Sequence, residues 1–451
     1  MTGACYLLEH FTPLEKPSRI LIDCGLFQGG RQDEFRNLAK FPMEMSMIDA
    51  VVVTHAHIDH VGRIPKLVKD GYRGKIYSTP ATRELAEIML LDAMGVRMKE
   101  EKKRGYSRKT DAPSWPYQKE DIERAMSQWE DVEYGRKFSV GDFKINLREA
   151  GHILGSSMIM IEVGGKHIIF TGDMGNVANP LLKEAEDADE ANFIVIESAY
   201  GDRVHEDIGE ANLKLERVIE DTVKKGGVLM IPAFSLERTQ KLLFEINNLV
   251  EHGRIPQVPI FLDSPLAIEA TRIYKKYERY YNDGAKEIIR SGDALFNFPR
   301  LKLCATTEES KEINGVPAPK IIIAGSGMST GGRIVHHEVR YLSDSKSAIL
   351  LVGYQSAGSL GRQLTDGARE VTILGETIPV RAKVETVSGY SAHADMDKLF
   401  GFVRHAADYL EKVFVVQGEL KSETFFTQRL RDYIGVDAAM PKTGDSVEFE
   451  V

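Results

Sequence analysis

Thr54-His55-Ala56-His57-Ile58-Asp59-His60 packs three imidazoles and one carboxylate into a single short loop, directly behind an apolar run at 49–53. A lone histidine is most often a satisfied core or surface residue. Four ligating groups on one tight loop are instead the pattern of a metal centre. His55 and His57 alternate, so an extended backbone directs both to one face. The chain then turns, and Asp59 and His60 open a helix predicted to run to about Lys69. Imidazole together with carboxylate suits zinc better than manganese or iron.

Outward from that loop, two more groups complete a ligand set. His152 lies in Ala150-Gly151-His152-Ile153-Leu154-Gly155-Ser156, and Asp173 in Thr171-Gly172-Asp173-Met174-Gly175. Asp173 alone reads equally well as a turn residue or a helix cap; its order after the histidine loop is what informs. Apolar runs at 19–22, 49–53, 166–170, 192–196 and 383–387 each end on a polar or glycine-bearing turn. Those turns hold Asp23, Thr54-His55, Gly172-Asp173, Glu197 and Gly389-Tyr390-Ser391-Ala392-His393. Strands whose C-terminal ends carry the polar groups are the ligand-binding edge of layered α/β proteins.

Residues 204–379 follow a different rhythm. Strand-like runs at 227–231, 258–262, 321–324 and 348–352 alternate with helical patterns, one of them at about 236–250, which implies a parallel sheet of βαβ units. The predicted organisation is a metal-binding domain over residues 1–203 that resumes at 380–451, with a βαβ domain at 204–379 inserted.

The 451 residues are 43% apolar and 28% charged, ordinary for a globular chain with a large core. No run approaches the ~18 uncharged apolar residues of a membrane span, and no charged-then-apolar leader precedes Cys5. Cys5, Cys24 and Cys304 form no CxxC pair, which excludes a cysteine zinc site and fits a reducing cytoplasm. A net charge of −9 argues against a protein that coats nucleic acid by bulk electrostatics, but leaves room for one local channel. Residues 97–109, with seven basic against two acidic side chains, are one candidate channel. Residues 274–281, where tyrosines interleave with Lys275, Lys276 and Arg279, are another. Solvated helix faces are the plain alternative for both.

On these motifs the chain resembles the metallo-β-lactamase superfamily, and the resemblance covers nearly its whole length. It implies an α/β fold, an αββα metallo-β-lactamase sandwich with an inserted βαβ (β-CASP) domain and the active site in the cleft between them. By that resemblance His55, His57 and His152 hold one metal, Asp59 and His60 a second, and Asp173 bridges, while Asp23 orients ligands. The long gap between Asp173 and Gln417 is similar to that of the β-CASP nucleases. Glu197-Ser198-Ala199-Tyr200-Gly201-Asp202-Arg203 resembles their acidic motif and Ser388-Gly389-Tyr390-Ser391-Ala392-His393 their histidine motif. Gly325, Ser326, Gly327 and Met328, with Gly331-Gly332-Arg333 behind them, resemble a loop that meets nucleic-acid phosphate; a plain βα connection would look the same.

The implied function is zinc-dependent hydrolysis of RNA, single-stranded, in the cytoplasm. Asp59 would take the water's proton and His393, oriented by Glu197, would protonate the departing oxygen. A homo-oligomer is left open. Two departures stand out. The family's usual first strand and glycine turn would precede Thr2-Gly3-Ala4-Cys5, so one edge strand is expected to be missing. The ribonuclease branch carries histidine where this chain has Gln417 in Val415-Val416-Gln417-Gly418-Glu419. An amide is a poorer zinc ligand than imidazole, so one or two zinc ions are expected, the second weakly held. The competing readings are an RNA-binding relative that has lost catalysis, a DNA-directed nuclease and a small-molecule metallohydrolase; a dead relative would purify nearly free of metal.

Overall fold

The apolar run before the histidine loop becomes the central strand of a five-stranded sheet in the computed structural model, which describes residues 3–103, 115–177 and 179–451. Its strands run in the order Tyr6–His10, Ser18–Ile22, Ala50–Val52, Lys75–Ser78 and Trp129–Asp131. Only the first pairing is antiparallel. A second sheet of seven strands runs Asp437–Ala439, Lys412–Val416, Phe193–Glu197, Lys166–Phe170, Ser157–Val163, Phe143–Glu149 and Phe138–Val140.

The two sheets face each other across one core, in which Ile20, Ile22 and Val52 of the first meet Ile145, Ile159, Phe170 and Phe193 of the second. The period-2 geometry of a strand makes this work: Phe193 points into that core while Ile194 and Ile196 point the other way. On that outer face they meet Leu399 and Phe402 of helix Met396–His405 and Phe426 and Leu430 of helix Leu420–Tyr433. Each such side chain removed from water contributes about 1.5–3 kcal/mol. Helix Pro80–Lys103 packs on strand Trp129–Asp131 and on helix Lys119–Ser127, completing an αββα arrangement.

The helix expected from Asp59 to Lys69 is two, Ile58–Val61 and Ile64–Lys69. The break has a local cause. The Arg63 N–H leaves the helical pattern to donate to the Cys24 carbonyl at 2.8 Å, and Pro65 restarts the helix in its first turn.

The chain divides into two compact units: Met1–Asn179, Lys183–Val204 and His393–Val451 form the first, Pro180–Leu182 and His205–Ala392 the second. The second unit holds a fully parallel six-stranded sheet in the order Leu301–Leu303, Ile260–Asp263, Lys320–Ala324, Val228–Pro232, Ala348–Val352 and Lys383–Val387. An antiparallel hairpin, Glu370–Ile373 with Glu376–Pro379, accompanies it. The metal-binding unit was expected to resume near residue 380. Strand Lys383–Val387 instead pairs along its length with Ala348–Val352, which keeps the chain in the second unit as far as Ala392. Among the described residues no helix is long and apolar enough to cross a membrane.

Candidate metal centre

The histidine loop is held from below by Asp23, which ends strand Ser18–Ile22 with φ 56. One carboxylate oxygen accepts the Thr54 N–H at 2.8 Å; the other accepts the Thr54 hydroxyl and His60 Nδ1, both at 2.7 Å. Asp23 is buried, so these bonds are its whole solvation, and they aim His60 Nε2 back into the site. The backbone of 24–26 then runs against the loop, Cys24 N–H donating to His60 O and Leu26 N–H to Ile58 O. Only glycine fits between them: a Cβ on Gly25 would lie 1.4 Å from the Asp59 carbonyl oxygen.

His55 Nε2 lies 3.0 Å from His57 Nδ1, and His152 Nε2 3.2 Å from the same atom. Asp173 Oδ2 stands 3.4 Å from His55 Nε2 and 3.5 Å from His152 Nε2. Ligating atoms of these four residues all lie within 4.8 Å of one another. Burial drives the pKa of His55 and His152 well below the ordinary value and that of His57 down to about 4, so the three rings face one another as neutral bases. Three neutral imidazoles and one carboxylate converging in a buried pocket fit a zinc ion, the donor set of a catalytic zinc. His152 is placed by Ser156, whose Oγ accepts the His152 and Ile153 amides at 3.0 and 3.3 Å. Ser156 has no signature for this role in the sequence, because its hydroxyl reaches back to amides three and four residues earlier.

His60 Nε2 is 3.4 Å from Asp173 Oδ1 and 3.9 Å from Asp59 Oδ2. Asp59, a quarter exposed, is the most open acid here. The Gln417 amide nitrogen comes to 3.5 Å of His60 Nε2, so residue 417 does reach this side of the site. A further group of ligating atoms within 4.8 Å is Asp173, Glu197 and His393. His393 Nδ1 lies 3.2 and 3.1 Å from the two Glu197 oxygens, and Glu197 also accepts the Met174 N–H at 2.7 Å. Burial acts to depress the His393 pKa, but Glu197 and Asp173 outweigh it and hold it up at about 9. The Ala394 N–H on Met174 O and a bridge from Gly175 to His393 fix the ring's backbone. Every residue of the expected ligand and proton-transfer set thus belongs to the first unit.

The phosphate-loop candidates lie in the second unit, at the end of strand Lys320–Ala324. Ser326 N–H donates to Gly331 O, and Thr330 N–H to Ser326 Oγ. Among the described residues the amides of Gly327, Met328, Gly331 and Gly332 have no acceptor within the protein, leaving backbone donors of the kind an anion can take. Behind the loop Asp263 is buried and accepts Arg333 Nη1 at 2.7 Å, His337 Nε2 at 2.8 Å and Ser310 Oγ at 2.7 Å. Asp263 has no local signal in the sequence, because its three partners are 47 to 74 positions away.

Of the two basic segments, 104–109 lies outside the described residues. In 274–281 the four tyrosines are buried, Tyr274 donating to Glu237 at 2.6 Å and Tyr281 to the Tyr274 carbonyl at 2.8 Å, while Lys275, Lys276 and Arg279 are exposed. The tyrosines are core residues there.

Residues 14–195 match a metallo-beta-lactamase superfamily domain, 239–364 a Beta-Casp domain and 377–441 a Zn-dependent metallo-hydrolase RNA specificity domain. Ribonuclease TTHA0252 of Thermus thermophilus is 36% identical over 99% of this chain and 97% of its own. An RNase J-like protein of Methanocaldococcus jannaschii is 33% identical over 94% and 93%. Transcription termination factor FttA of Methanosarcina mazei is 32% identical over 93% of this chain, which spans 65% of that factor. A crystal structure of a protein of unknown function from Enterococcus faecalis superposes with a TM-score of 0.52 at 10% identity, over 98% of this chain and 96% of that one, a likeness of fold alone. With all three segments matched and the identity to full-length relatives running from end to end, the chain belongs to the metallo-β-lactamase superfamily, in the branch that carries a β-CASP domain.

Proposed function

We propose that the protein is a zinc-dependent ribonuclease acting on single-stranded RNA in the cytoplasm. The observation that carries this reading is the meeting of His55, His57, His152 and Asp173 beside the Glu197–His393 pair. His55, His57, His152 and Asp173 would hold one zinc ion, and Asp59, His60 and Asp173 a second. Bound there, zinc polarises a phosphoryl oxygen and lowers the pKa of water.

The chain's own groups handle the protons. Asp59, the open carboxylate, accepts the proton of the attacking water. His393 keeps Nδ1 on Glu197 and, held in its charged form, presents the Nε2 proton to the departing oxygen. The free amides of the 325–332 loop receive a substrate phosphate. RNA rather than DNA is supported by the RNA specificity domain matched at 377–441 and by the ribonuclease of Thermus thermophilus among the relatives. Three unpaired thiols support the cytoplasm.

The test is cleavage of labelled RNA and DNA of one sequence, with zinc or manganese, comparing the natural protein with His55→Ala and Asp173→Ala. Zinc-stimulated RNA cleavage is expected, with both variants inactive, depleted of zinc and still folded by circular dichroism. Full activity of either purified variant would remove the metal assignment, and preferential cleavage of the DNA would remove RNA as substrate.

A further inference from the structure

Helix Ile334–Tyr341 carries a carboxyl group with no role in the site described above. Glu338 is 0% exposed; Ser329 Oγ donates to its Oε1, and its Oε2 has no hydrogen-bond partner. Ser329 is itself buried and belongs to the phosphate loop, where it holds the left-handed conformation at φ 55. Side chains other than glycine rarely adopt that conformation, so the Glu338 bond helps to hold it.

Among the described residues no charge compensates Glu338. On its own helix and at that helix's start, Arg333 and His337 are engaged by Asp263, Arg340 lies over the Tyr341 ring and His336 faces solvent. From neighbouring segments, Arg238 donates to the Val352 carbonyl and Arg362 to Asp366. The loop 325–332 and strand Val228–Pro232, on which the helix packs, contain no charged residue. Burial accordingly lifts the Glu338 pKa to about 7, with the Ser329 hydroxyl opposing it.

We propose that Glu338 is a positioning residue for the phosphate loop: its carboxyl seats Ser329, and its ionisation sets an uncompensated negative charge behind the loop that would receive the substrate phosphate. The inference rests on the reading that this loop receives a substrate phosphate. Ionisation places an unpaired negative charge in a dry interior at the base of an anion site. The charge repels phosphate through a low dielectric. The sign follows from the raised pKa: the neutral form prevails below the titration and is lost as pH rises through about 7.

The test is KM and kcat for a single-stranded RNA between about pH 6 and pH 8.5 at fixed ionic strength, on the zinc-loaded full chain. The natural protein should show KM rising on the order of tenfold across that range, with Glu338→Gln holding the low-pH KM throughout and kcat matching between the two. Ser329→Ala keeps the acid but cuts its link to the loop, and should give the high KM already at low pH. If Glu338→Gln follows the natural KM curve, or if Ser329→Ala leaves KM unchanged, Glu338 does not position the loop. Ser326→Ala separates this from the underlying reading. If it raises KM at every pH while Glu338→Gln follows the natural protein, only the Glu338 inference fails. If it leaves KM unchanged, the loop does not hold phosphate and both readings fall.

Discussion

Gln417 ends strand Lys412–Val416 in the left-handed conformation, φ 54, with its amide nitrogen 3.5 Å from His60 Nε2. Asp23 engages His60 Nδ1, so Nε2 is the ring nitrogen that meets this amide. Gln417→His, which restores a ligating nitrogen at a position already within reach, should raise bound zinc from about one to about two per chain after dialysis, and activity with it. Retention of two zinc ions by the unmodified protein against a mild chelator would show that the amide does not weaken the site.

His393 makes a different prediction. Glu197 occupies its Nδ1, so His393→Ala should cost about 10²–10⁴-fold in rate, the range of one general acid, while zinc content stays constant. Loss of zinc would make His393 a ligand, as the grouping of its ring with Asp173 and Glu197 would allow.

At the level of elements, the site is an edge where strand ends are tied together by loop backbone. The 24–26 segment braces the histidine loop through paired backbone hydrogen bonds, and it can approach because residue 25 has no side chain. Gly25→Ala would place a methyl 1.4 Å from a backbone oxygen, where no rotamer can relieve it. Zinc binding should fall and stability should drop by at least about 1–3 kcal/mol in denaturant unfolding. Gly95 is the matched control: it lies in helix Pro80–Lys103, and a methyl added there would have nothing within 4 Å, so Gly95→Ala should stabilise by about 0.5–1 kcal/mol. Equal effects at the two glycines would refute the bracing role of the 24–26 segment.

For the whole molecule the question is how a chain of net charge −9 binds a polyanion. On the proposed reading, the free amides of the 325–332 loop and the exposed Lys275, Lys276 and Arg279 would be local answers to a global repulsion. KM for RNA should therefore rise steeply with salt, because each phosphate neutralised by a cationic side chain releases counterions. A KM indifferent to salt between low and physiological concentration would exclude a basic channel and leave neutral amides as the grip.

The sequence alone picked out the candidate ligands, because metal coordination demands particular side chains. Three histidines and an acid on one loop, followed in order by His152 and Asp173, form the pattern of a metal centre; His55, His57, His152 and Asp173 lie in turns after strands, and Asp59 and His60 in the short helix Ile58–Val61. It also determined the layered α/β class, since apolar runs of five residues ending in polar turns fit strands buried on both faces. Tertiary structure decided what depends on partners distant in the chain. Strand Lys383–Val387 carries no mark of which sheet will bond it, and only its register with Ala348–Val352 keeps it in the second unit. The segment 274–281 reads in sequence as a candidate channel or a solvated helix face, and packing turns its tyrosines inward. Glu338 looks like any helix-surface acid in sequence; its raised pKa follows from desolvation by strands and loops far along the chain, which no local pattern encodes.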